Sequence, residues 1–96
     1  MRAYISLAAL PEPGQLLPPG TAATTEPREA LHEAQRNGKP WILLFTRPAS
    51  APILEAGRTT KELDPCKPSR VYRTERATVT PYPGRCGPYR ERLRTV

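Results

Sequence analysis

Arginine and tyrosine are the residues of this 96-residue chain whose types and spacing could do chemistry. Arg70, Arg73 and Arg76 stand three apart, Arg85, Arg90, Arg92 and Arg94 follow, and Tyr72, Tyr82 and Tyr89 lie among them. A guanidinium grips phosphate through a planar fork and sheds its hydration more readily than an ammonium. A tyrosine ring offers a stacking face to an unpaired base. The charge distribution points the same way. The formal net charge is +6, residues 1–25 and 26–56 are each balanced, and residues 57–96 hold ten basic groups against four acidic. A neutral piece followed by a basic extension is the usual mark of an arm for a polyanion. These seven arginines and three tyrosines are therefore the candidate nucleic-acid contacts. No RNP sequence, zinc-finger spacing or GXXG loop accompanies them, so the expectation rests on charge asymmetry.

The remaining reactive residues are few. Cys66 and Cys86 are the two thiols and His32 is the one imidazole. A structural zinc site takes four N or S ligands, commonly in closely spaced pairs, and three distant candidates give no metal site. The cysteines either close one disulfide across a loop of about twenty residues or stay as free thiols, the second being the intracellular default. His32 sits beside the apolar stripe of a helical stretch with Glu29 and Glu33 near it, which reads as a solvated face and not as a catalytic pair. Ser50 lacks a Gly-x-Ser-x-Gly elbow, no glycine-rich phosphate loop exists, and no carboxylate pair lies in an apolar setting. The expectation is a protein that is not an enzyme and needs no cofactor.

Which elements would position these groups? Glu26-Pro27-Arg28-Glu29 opens like a helix, with proline suited to the first turn and acidic groups to the positive end. Ala30, Leu31 and Ala34 then give one apolar stripe, and Asn37-Gly38 supplies a left-handed stop. Lys39-Pro40 leads into Trp41-Ile42-Leu43-Leu44-Phe45, an unbroken apolar run that predicts a strand buried on both faces, as in parallel sheets. Farther on, Ser50 is a candidate cap for a short helix to Gly57, and Thr59 with Glu62 matches a capping box. Residues 70–80, rich in β-branched and aromatic types, predict an edge strand. Residues 11–25 are turn and polyproline chemistry without a period.

Leu, Ile, Val and Phe number only 17, beside 13 prolines and 6 glycines. That stock supports one small domain and excludes large enzymes, coiled coils and repeat arrays. No apolar run reaches the roughly 18–20 residues that cross a bilayer, and Met1–Leu10 is too short and too soon broken by proline for a secretory signal. Together with the cysteine default this leads to an intracellular, cytoplasmic or nuclear expectation, with no membrane partner.

Residues 29–46, EALHEAQRNGKPWILLFT, resemble the opening of thioredoxin-like domains: an Ala-rich helix, a Gly-Lys-Pro turn and a buried strand ending in Phe-Thr. The matching residues are Ala30, Leu31, Ala34, Gly38, Lys39, Pro40, Leu43, Leu44 and Phe45. Where that family carries Trp-Cys-x-x-Cys, this chain has Arg47-Pro48-Ala49-Ser50-Ala51-Pro52, so the resemblance implies a truncated member without redox chemistry. It also implies a buried Trp41 and a cis bond at Pro81.

The sequence thus predicts a small, marginally stable α+β unit: helix, buried strand and edge strand, with extensive irregular or disordered arms. Its parts are a Pro-rich flexible arm over 1–25, a helix–strand core over 26–80 and a basic Arg/Pro-rich tail over 81–96. The leading function is a basic, non-enzymatic protein binding nucleic acid, RNA or DNA, or another polyanion. One alternative is a redox-inactive thioredoxin-like interaction protein, acting through a protein partner. The other starts from Ala, Pro, Arg and Gly supplying 42 of the 96 residues. All four have GC-rich codons, as the product of a GC-rich reading frame with no defined activity would; such a chain would leave Trp41 solvated.

Overall fold

Five consecutive apolar residues, Trp41 to Phe45, must be kept from water on two sides, and the rest of the fold supplies the two covers. The computed structural model describes residues 1–12, 14–75 and 78–82. In chain order its elements are β1 (Arg2–Leu7), α1 (Pro27–Arg36), β2 (Trp41–Thr46), β3 (Leu54–Glu55), β4 (Arg58–Thr59), β5 (Arg70–Glu75) and β6 (Thr78–Tyr82). A four-stranded sheet runs in the order β1-β2-β5-β6. Every pairing is antiparallel, with Leu7 opposite Trp41, Trp41 opposite Arg73 and Tyr72 opposite Pro81.

Side chains alternate across a strand, so this register sorts the sheet into two apolar faces. Ala3, Ile5, Trp41, Leu43, Phe45 and Val71 fall on one. Tyr4, Ile42, Leu44 and Tyr72 fall on the other, against Ala30 and Ala34 of α1. The first face is closed by Leu10, Leu17, Ile53 and Leu63, with Ala23 and Cys66 beside them. The molecule is therefore helix, sheet and an irregular layer, an α+β unit with the expected helix, buried strand and edge strand.

The helix forms where its punctuation places it. Pro27 occupies the first turn, where a missing N–H costs nothing. Glu29 in the first turn and Arg36 in the last oppose the helix dipole. At the other end Gly38 adopts φ +63°, and the Lys39 N–H reaches back to the Ala34 carbonyl at 2.8 Å, the closing bond of a Schellman turn. The chain then reverses directly into β2.

Four expectations are corrected. Residues 1–25 are not a flexible arm: β1 is a sheet strand, Tyr4 and Thr24 exchange backbone hydrogen bonds at 2.8 and 3.0 Å, and Leu17 and Leu63 do the same. The irregular layer obeys the rule that buried backbone must be paired, with Gly20, Thr21 and Ala23 bonded to Thr59 and Gly57. The sheet is antiparallel, because the second cover of β2 comes from this proline-rich layer and not from a second crossover helix. No short helix follows Ser50, and Thr59 is no helix cap: it is a buried residue of β4, its hydroxyl accepting the Thr21 N–H at 3.1 Å. Finally, residues 70–80 are two strands. β5 is interior and β6 is the edge, with residues 76 and 77 between them outside the described set.

The β3–β4 hairpin turns on Ala56 (φ +52°) and Gly57 (φ +75°). Two successive left-handed residues are what a type I′ turn requires, and Asn-Gly is the pair that fits it best. An alanine there carries steric cost. Ala56→Asn is therefore expected to raise stability by about 0.5–1 kcal/mol in urea denaturation, and Gly57→Val to lower it by at least ~1 kcal/mol.

Candidate functional site

Arginines three apart line one side of a helix but not of a strand. With a side-chain period of two, Arg70 and Tyr72 stand on the helix-covered face of β5, and Val71 and Arg73 on the opposite face. The sheet therefore separates two of the candidate arginines, Arg70 and Arg73. Arg73 lies directly across from Trp41, its guanidinium carbon 4.6 Å from the ring centroid. Trp41 itself is buried. This is a cation–π contact of about 0.5–2 kcal/mol, and it commits Arg73 to holding the start of β2. Arg70 is exposed and stands opposite Leu44. Tyr82 closes β6 opposite Val71. Arg76, Arg85, Arg90, Arg92, Arg94 and Tyr89 lie outside the described residues.

Tyr72 acquires company that the sequence did not announce. Between the first turns of α1 and the sheet lies an open slot of about 260 Å³, lined by Tyr4, Pro27, Arg28, Leu31, Ile42 and Tyr72. Tyr4 from β1 and Tyr72 from β5 flank Ile42 of β2, and Arg28 of α1 is the charged lining group. On the same sheet face Arg2 stands opposite Thr46, and Arg70 opposite Leu44, the neighbour of Tyr4 across the β1–β2 ladder. The nearest helix carboxylates have other work. Glu29 accepts the Thr24 hydroxyl at 2.8 Å, and Glu33 pairs with Lys39 at 3.4 Å. The period of β1, with Arg2, Tyr4 and Ser6 alternating with Ala3, Ile5 and Leu7, is the one signal that could have placed Tyr4 here.

The other reactive groups stay apart. His32 and Ser50 are exposed. Among the described residues no three His, Cys, Asp or Glu side chains gather where a metal could sit, and no helix is long and apolar enough to cross a membrane. Cys66 corrects the free-thiol expectation, because it is disulfide-bonded; Cys86 lies outside the described residues. The helix–turn–strand unit that resembles thioredoxin-like domains is present, with Trp41 buried, but the described residues contain no cis peptide bond, so Pro81 is trans.

If Arg73 acts on Trp41, removing its charge should show at the tryptophan. Arg73→Gln is expected to cost about 1 kcal/mol of stability and to raise acrylamide quenching of Trp41, the one tryptophan. An unchanged quenching constant would leave the contact without energetic weight. No family model, no curated protein and no solved structure matches this chain.

Proposed function

We propose that the chain is a small non-enzymatic binding protein whose partner is nucleic acid or another polyanion, contacted through basic groups after Gly57. The observation that carries this is the charge asymmetry: the whole formal charge of +6 arises in residues 57–96. Within the fold, Lys61, Lys67 and Arg70 from that stretch are exposed, and the Glu33–Lys39 ion pair draws on none of it. Arg73 leaves the set of phosphate contacts. Arg76, Arg85, Arg90, Arg92 and Arg94 remain in it, with Tyr82 and Tyr89 as stacking partners.

The second reading is a truncated, redox-inactive thioredoxin-like protein that acts by protein contact. It draws on the helix–turn–strand unit of α1 and β2 alone. The product of a GC-rich reading frame with no defined activity is expected to leave Trp41 solvated, whereas the fold buries it.

Fluorescence anisotropy with random single-stranded RNA tests the leading reading. The logarithm of the association constant should fall linearly with the logarithm of salt, with a slope of about 0.7 per phosphate engaged, and several phosphates are expected. Binding unaffected by salt, or none at low salt, ends the proposal. Compartment belongs to the same question. A nucleic-acid partner puts the chain in the cytoplasm or nucleus, where thiols are held reduced, whereas a disulfide at Cys66 is the state of an oxidising environment. Alkylation of the protein in intact cells distinguishes them. A protected Cys66 is expected from the disulfide, and a labelled Cys66 would show that the thiol is held reduced where the chain works.

A further inference from the structure

The slot between α1 and the sheet has the chemistry to receive a flat ring attached to an anion. We propose that it takes one unpaired nucleobase of a single-stranded nucleic acid, stacked on the half-buried Tyr72 ring against the edge of the buried Tyr4, with Arg28, Arg2 and Arg70 available to the flanking phosphates. The inference rests on the polyanion reading above and adds a recognition site in the folded part of the chain.

Three observations carry it. The first is shape. The slot holds about 260 Å³, just under the roughly 300–1,000 Å³ of drug-sized pockets, which suits one ring system. Its floor is Ile42 and its walls are the aromatic residues of two strands flanking β2. The second is the kind of wall. Tyrosine faces accept any base, since every base has a π-face, and each stacked base contributes about 1–3 kcal/mol. The third is charge. On this sheet face β1, β2 and β5 present Arg2, Tyr4, Ser6, Ile42, Leu44, Thr46, Arg70, Tyr72 and Thr74, with no carboxylate among them. Glu29 accepts the Thr24 hydroxyl, Glu33 pairs with Lys39, and none of Glu26, Glu29 and Glu33 lines the slot. Arg28 lines the slot, and Arg2 and Arg70 are exposed on the same sheet face. An apolar slot with aromatic walls and arginines on the same side of the sheet fits a base with its phosphates better than it fits a neutral peptide or a second copy of the same basic chain.

The test uses the full chain, with three labelled probes of equal charge: an oligoadenylate, an abasic oligomer of the same backbone, and a heparin fragment. Tyr72→Leu should weaken oligoadenylate binding about five-fold or more and leave the abasic oligomer and heparin unchanged. Tyr72→Phe, which keeps the stacking face, should bind oligoadenylate like the parent. Equal losses on all three probes, or no loss on any, overturn the slot while the polyanion reading stands. Binding of oligoadenylate alone would support the slot and narrow the partner from polyanions in general to nucleic acid. Should Tyr72→Leu fail to fold by thermal melting, the parent protein supplies the answer. Adenosine monophosphate should shift the Tyr4 and Tyr72 ring resonances and compete with oligoadenylate, and ribose 5-phosphate should do neither. Matching shifts from both ligands, or a concentration-dependent dimer that closes the slot in sedimentation, overturn the proposal.

Discussion

Two-sided burial of β2 is the constraint on which the structure depends. A strand with apolar groups on both faces gains from each only if each is covered, at roughly 25 cal/mol per Å² of surface removed from water. This chain is poor in the large aliphatics that would build two helical covers. It builds one from α1, whose contact residues Ala30 and Ala34 let the backbone come close to the sheet. The other is a layer without regular structure. Leu10, Leu17, Ile53 and Leu63 are the apolar teeth of that layer, and reciprocal backbone bonds between residues 17–24 and 57–63 hold it in shape. Fully buried Pro65 and Pro68 fit the same logic, since a proline has no N–H to leave unpaired.

The layer also explains how β1 is held at an edge of the sheet. An edge strand exposes a row of backbone groups that invite pairing with another chain. Here Thr24 meets Tyr4 on that side, and its carbonyl and N–H are both used. The segment that covers the first face thus also covers part of the edge before it enters α1. At the far edge, Pro81 in β6 removes one donor from the strand.

Where the sequence was legible, the information was local. Pro27, Gly38 and the run from Trp41 to Phe45 each act within a few residues, and helix, turn and buried strand follow from them. What was not legible depended on partners far along the chain. Nothing in Met1–Leu10 reveals that its mate is β2, some forty residues on, although Arg2, Tyr4 and Ser6 do alternate with Ala3, Ile5 and Leu7 at the period of a strand. Residues 11–25 have the composition of a linker, and their hydrogen bonds to residues 57–63 and to Tyr4 make them structure. The Ala56-Gly57 turn lacks the asparagine that marks such hairpins, so a helix was the natural expectation there. The break in residues 70–80 was hidden because Arg76-Ala77 carries no turn chemistry. For the candidate site the lesson is sharper. All seven arginines were candidate contacts, whereas the strand period of two gives Arg70 to one face and Arg73 to the other.

That division has a physical consequence for binding. On the face with Arg73, the cation sits over Trp41 at the first position of β2, where the charge rests on an aromatic surface and the aliphatic stem covers apolar neighbours. On the face with Arg70 and Tyr72, Arg70 is exposed and Tyr72 lines the slot beside the first turns of α1. One strand therefore serves two purposes by alternation alone. Val71 and Arg73 face the core built with the irregular layer, and Arg70 and Tyr72 stand on the face beside the helix. A core that took both arginines would leave the sheet without that surface. A surface that took both would leave Trp41 without its cation, so the register that fixes the fold also fixes which arginine is open to a partner.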